Sequence, residues 1–446
     1  MGGYVNMRDM GKFLAVLVTW LMVLVTLGQG GPGGPGGPGG QPTLSAQFNL
    51  NDWMVNEPAT DKNHFPDQLP AVEGNTITVV YDKGGSAQVQ LFFRNNNPNQ
   101  NFTGQLIVED ARYIHDTAPL PVPWGSPPPV TIPDTILSAP TVSLNIASLA
   151  TAPTTLTISG LPAFVTKGHI QLQMRAEGNF GAQVAGSQSL VPWSGGLTSQ
   201  KVLITYASPT GVMVPVWTEI AEMSCTMAQG ESVSVDISPE LTKGLYYGSI
   251  FAYNLNDTEY HERLESLYFN DYEYDLKAFL LARTGNSTVP GNCYDVNGFL
   301  MILHLSQGIE AIGQNVSLTD PVKMFLTNPF CPVGSDSSME SNYIRVPFSV
   351  HFHCTVEGLV HDAALAYYHN LDGSVYKNPA WLWHNLNSWQ VINGNIAYGQ
   401  CYREVDLSND PYQISPIFGC NVFQPGPAGP VAEVRSADYR YVEAVK

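Results

Sequence analysis

The stretch Gly291-Asn292-Cys293-Tyr294-Asp295-Val296, running on to Gly308-Ile309-Glu310-Ala311, decides how the rest of the chain is read. Val296, Phe299, Leu300 and Leu303 recur at helical spacing, which predicts a helix with one buried face. Asn292 is a good N-cap, and Asp295 three positions on can answer it as a capping box does. Cys293 then becomes the first helical residue, where outward-pointing N–H groups and the helix dipole favour an anion. Reactive thiols occupy such places. Taken alone, a cysteine there reads more readily as a half-cystine or a small buried side chain.

A second segment changes that balance. In Val346-Pro347-Phe348-Ser349-Val350-His351-Phe352-His353-Cys354, apolar residues alternate with Ser349, His351 and His353, the pattern of a strand with one apolar face. Glu357-Gly358 supplies a turn, and residues 359–365 return as the partner strand. A two-residue loop puts His353 opposite Asp362, with His351 one diagonal away on the same face, and sends His361 to the opposite face. Cross-strand neighbours lie close enough for a carboxylate to orient an imidazole. Cysteine, histidine and carboxylate, distant in sequence and able to meet, form the thiol version of the catalytic triad.

With these residues in hand, the chain over about 215–370 resembles the transglutaminase-like superfamily. The motif of that superfamily is a helix opening with G-x-C-x-D and closing near G-I-x-A. A His on a strand follows, commonly as H-x-W, and then a Gly turn and a strand bearing Asp. Gly291, Cys293, Asp295, Gly308, Ile309 and Ala311 match in order. The resemblance implies a papain-like α+β core with Cys293 as nucleophile. In family hairpins the Asp lies opposite the residue two after the catalytic His, which makes His351 the base and Asp362 its partner. His353 then stands where the family usually has Trp; it is the alternative base. The implied reaction attacks an amide through a thioester and needs no cofactor. Calcium has no support, since no loop has EF-hand spacing.

Outward from this core the texture changes. Arg8 and Lys12 precede an apolar run over 13–27, which reads as a secretory signal or an uncleaved anchor within residues 1–30. Residues 31–44 are a Gly/Pro-rich linker. From 45 to 205, short runs at 76–81, 88–94, 105–109, 142–146, 154–158 and 169–175 predict an all-β antiparallel sandwich. His115 and Asp116 read as ordinary surface. Residues 206–446 form the transglutaminase-like domain with a C-terminal extension. In it Trp217, Ile220, Ala221, Cys225 and Ala228 predict one helix, and 259–283 a second.

Composition narrows the partners. The 446 residues carry a net charge of −18 because Lys and Arg total only 20. That argues against nucleic acid, and a membrane contact is expected only through the N-terminal anchor. An exported chain with six cysteines suggests disulfides, and local spacing points to Cys401 with Cys420. If Cys293 is a free nucleophile, another thiol is also unpaired. His351, His353 and His361 with Asp362 invite a zinc reading, which the opposite face expected of His361 disfavours; no metal site is expected. The fold class expected is thus α+β, papain-like, behind a β-sandwich. The function expected is a secreted or extracytoplasmic cysteine enzyme acting on protein or peptide amides. Its rival is an inactive relative serving as an extracellular binding or structural protein.

Overall fold

A computed structural model describes residues 43–47, 53–54, 57–60, 78–116, 132–182, 190–210, 213, 216–253, 266–270, 272–283, 287–318, 324–327, 330–333, 347–348, 350–357, 359–367, 389–392, 395–396, 402–405, 434–440 and 444–445. The export segment, most of the tether, and the Cys401–Cys420 pair lie outside them. The described residues are mostly β-sheet, with four helices among them.

Seven of the described strands carry most of the N-terminal part. They are β1 (Val79–Asp82), β2 (Ser86–Asn95), β3 (Phe102–His115), β4 (Val142–Ile146), β5 (Thr151–Ser159), β6 (Thr166–Phe180) and β7 (Leu190–Thr205). Ala87, Val89, Leu91 and Phe93 in β2 are buried at alternate positions, and β2 pairs antiparallel with β5. In a second sheet β6 lies antiparallel between β3 and β7. Phe93, Leu156 and Ile158 from the first sheet meet Leu106, Ile170 and Leu172 from the second in one core. That is how two half-apolar sheets bury their inner faces.

One pair departs from the antiparallel expectation. β1 runs parallel to β7, with Val80 beside Leu203. Val79, Val80 and Tyr81 are buried in succession, as are Val202, Leu203 and Ile204. A strand covered on both faces reads as a continuous apolar run. The cover is a second core, in which Val80, Val165 and Leu203 pack with the helices.

Those helices are α1 (Thr218–Met227), α2 (Ser234–Tyr247), α3 (Leu276–Ala282) and α4 (Cys293–Ser306). Between them lie β8 (Phe251–Tyr253) and β9 (Val289–Gly291), which pair in parallel. α2 was not legible, because its Ser, Asp and Pro239 read as loop. Burial of Ile237, Leu241 and Leu245 along one face overrides that. Of the helix expected over 259–283, residues 259–265 lie outside the described residues, and the rest is helical only in α3. Phe269–Asn270 and Glu273–Tyr274 instead pair antiparallel, and Asp275 caps α3 by accepting from Ala278 N.

Beyond α4 stands a sheet in the order β13-β12-β11-β10-β14. Its strands are β10 (Ile312–Leu318), β11 (Val350–Val356), β12 (Leu359–His361), β13 (Trp389–Ile392) and β14 (Val434–Arg440). α4 lies between this sheet and the other helices. Val296 through His304 are consequently all fully buried, and the expected single buried face is corrected. A helix that is apolar nearly all round is a buried one.

Candidate active site

The place of Cys293 is set by its neighbours. α4 starts at Cys293, and Asn292 Oδ1 accepts from Tyr294 N (2.9 Å) and Asp295 N (3.2 Å). Asp295 Oδ2 answers by accepting from Asn292 N at 3.1 Å, closing the capping box. The same buried carboxylate also takes Ser266 Oγ (2.6 Å), Leu267 N (3.1 Å), Tyr268 N (2.6 Å) and Phe269 N (3.2 Å). It therefore ties a neighbouring loop to the helix start. Gly291 is needed for space: a Cβ there would meet Phe251 Cδ1 at 2.8 Å and Asp295 Cβ at 3.2 Å. Gly308 at the far end has φ +69°, and a Cβ there would lie 2.5 Å from Ser208 O. The motif glycines and Asp295 thus serve the frame around the thiol.

Three cysteines are free among the described residues: Cys225, Cys293 and Cys354. Cys225 and Cys354 are wholly buried, whereas Cys293 keeps 5% of its surface. Burial pushes the Cys225 thiol up to about 12, and burial followed by the Asp362 carboxylate pushes Cys354 up as well. Those two behave as small core residues.

Tyr253 was not foreseen. The β8–β9 pairing sets it beside Gly291, and its hydroxyl lies against Cys293. The residue as a whole is half-buried. Burial, then the adjacent thiol and the Asp362 carboxylate, push the phenol well up. It therefore stays a neutral donor at neutral pH. No motif flags a tyrosine some forty residues upstream; only the strand pairing does.

The hairpin has the register read from the sequence: Cys354 faces His361, Thr355 faces Val360, and Val356 faces Leu359. Glu357, with φ 50°, opens the two-residue turn, and its carboxylate accepts from Ser234 Oγ of α2 at 2.5 Å. Asp362 follows the last paired residue of β12. Its carboxylate turns toward α4, where Oδ1 accepts from Asn297 Nδ2 (3.0 Å) and Ala364 N (2.9 Å). His361 also lies on the helix side, against Thr242 Oγ1 (3.3 Å) and His304 (5.9 Å between ring centroids). The two residues do not point apart as expected, because the chain leaves the strand between them. The partner strand, expected through residue 365, ends at His361, and Leu365–Tyr367 pairs with Phe330–Pro332 instead.

Phe352 stacks on Tyr294 of α4 at 4.8 Å, and Cys354 joins the same core. The pleat turns His353, between them, to the other face of β11, where it is 1% exposed. His351 is the second residue of β11, opposite Val316. Among the described residues no three His, Cys, Asp or Glu side chains gather as metal ligands. His115 is buried between Thr166 Oγ1 (2.9 Å) and Thr135 Oγ1 (3.1 Å), and Asp116 pairs with His169 at 3.2 Å. That corrects the surface reading of His115.

The thiol on the first turn of a buried helix therefore has a tyrosine hydroxyl on it and a carboxylate held one turn along. No protein-family model matches the chain, and no curated protein sequence does. Among solved structures, red sea bream transglutaminase is similar at 11% identity and TM-score 0.32, covering 70% of this chain and 53% of that one. A PapD-like domain of human CEP192 is similar at 9% identity and TM-score 0.20, covering 40% of this chain and 97% of that one. A family 123 glycoside hydrolase from Clostridium perfringens is similar at 12% identity and TM-score 0.19, covering 36% and 27%. This chain thus spans about half the length of that transglutaminase. At these values none of the three assigns a family or an activity. No helix among the described residues is long and apolar enough to cross a membrane.

Proposed function

We propose that this chain is a secreted cysteine enzyme acting on amide bonds of protein or peptide substrates through a thioester, with Cys293 as nucleophile, His351 as base and Asp362 as its orienting carboxylate. The observation that carries the reading is the free thiol of Cys293 on the first residue of α4, with the Tyr253 hydroxyl against it. A helix start and a fixed donor both favour negative charge. His351 takes the thiol proton, and sulfur attacks the amide carbonyl. The oxyanion is met by the Cys293 N–H and the Tyr253 hydroxyl. The C–N bond breaks as the imidazolium returns the proton to the leaving ammonia or amine. Water then hydrolyses the thioester, or a lysine amine displaces sulfur and crosslinks two chains.

The rival is an inert scaffold in an extracellular binding or structural protein. What favours it is the alternation of β11: Phe352 and Cys354 pack toward α4, and His351 and His353 fall at the intervening positions of the strand. Alkylation with iodoacetamide at pH 6, read site by site by mass spectrometry, separates the two. Labelling of Cys293 well ahead of a free cysteine, abolished in His351→Ala and kept in His353→Ala, supports the enzyme. Labelling no faster than that of free cysteine sinks it. Ammonia release from casein, set against incorporation of a fluorescent amine, then identifies the acceptor.

A further inference from the structure

Asn297 interrupts the apolar run Val296-Asn297-Gly298-Phe299-Leu300 and is fully buried one helical turn after Cys293. Asparagine is a poor residue for a helix interior, and its amide is costly to bury unless every polar atom is answered. Here the answers all come from the hairpin. Nδ2 donates to Phe352 O at 2.8 Å and to Asp362 Oδ1 at 3.0 Å, while Oδ1 accepts from Ala363 N at 2.9 Å. Phe352 is the residue between the two candidate histidines of β11. One amide on the nucleophile's own helix thus grips both the histidine-bearing strand and the carboxylate.

We infer that Asn297 is a positioning residue, which sets the Asp362 carboxylate and β11 in register with Cys293. The inference rests on the assignment of Cys293 and Asp362 to one reacting centre. An apolar residue at 297 would leave a carbonyl, an N–H and a carboxylate of the hairpin without this partner. A carboxylate there would set two negative groups side by side. An amide alone supplies two donors and one acceptor in this arrangement. The bond to Asp362 is charge-assisted, which makes it directional.

The test is the pH dependence of Cys293 alkylation by iodoacetamide in the full chain, for the native protein, Asn297→Ala, Asn297→Ser, Asp362→Ala and the Asn297→Ala/Asp362→Ala double variant. Circular dichroism establishes that each is folded. In Asn297→Ala the labelling curve is expected to move upward by about one pH unit, which slows labelling at pH 6 about tenfold. Asp362→Ala should do the same, and the double variant no more than either alone. Asn297→Ser, with one hydroxyl donor left, should recover part of the rate. An Asn297→Ala curve that matches the native one while Asp362→Ala shifts would overturn the inference. So would loss of folding in both Asn297 variants with Asp362→Ala intact, since Asn297 would then serve only the fold. If the native protein labels like a free cysteine and Asp362→Ala changes nothing, the shared reacting centre itself is wrong.

Discussion

Asp295 shows how much one side chain can organise. Five donors converge on its carboxylate, four of them backbone N–H groups. Replacing it with Ala strands those N–H groups in a buried place, at a cost of about 1–3 kcal/mol for each that water does not reach. The expected outcome for Asp295→Ala is a loss of about 3 kcal/mol or more in urea unfolding, with Asp295→Asn intermediate. Gly291→Ala tests the same frame sterically. The added methyl runs into the buried Phe251 ring, and overpacking of this kind costs about 1–3 kcal/mol. Cysteine chemistry belongs to this scale too. Cys225 and Cys354 should stay unlabelled in native protein while Cys293 reacts, and all three should react in urea.

Among the elements, α4 and the β11–β12 hairpin share a buried imidazole pair. His304 donates from Nδ1 to Leu300 O at 2.8 Å and touches His361 across the interface. Burial lowers His304 to about 4, and burial followed by the His304 neighbour lowers His361 to about 3. Both are neutral when folded, whereas in the unfolded chain they titrate near 6.5. Below that pH the unfolded state takes up protons that the folded state refuses. The stabilisation is therefore complete above about pH 6.5 and declines as pH falls toward about 4, by roughly 3 kcal/mol per histidine. Thermal melting at pH 7 and pH 4.5 should show the fall. His304→Met, which removes one titrating group from the pair, should make it shallower. An unchanged pH slope in that variant would count against the pair.

At the scale of the whole molecule, the two cores meet along β1, β7 and α1, and Gln307 fastens the junction. Its Oε1 accepts from Tyr206 N at 3.1 Å, and its Nε2 donates to Ser224 Oγ at 2.8 Å. Ser306 Oγ donates to the same Ser224 hydroxyl at 2.7 Å. With β1 and β7 buried on both faces, the sandwich and the helices should unfold together in calorimetry. Gln307→Ala leaves buried partners unanswered and should lower stability by about 2 kcal/mol. If the variant also splits the calorimetric trace in two, Gln307 is what couples the cores.

Local order determined most of what the sequence made legible. The capping box at Asn292 and Asp295, the helix beginning at Cys293, the alternation in β2 and the two-residue turn at Glu357 all depend on neighbours a few positions apart. So does the hairpin register. What only the tertiary structure decided depends on partners distant in sequence. Burial of α4 on every side turned Asn297, which no motif singled out, into a grip on the hairpin. The parallel β8–β9 pair brought Tyr253 to the thiol. A bend after His361, fixed by Asn297 and Ala364, sent Asp362 to the helix side against the strand's alternation. Periodicity reports which residues avoid water. It does not report which buried polar groups will find one another, because that is set by how the elements pack.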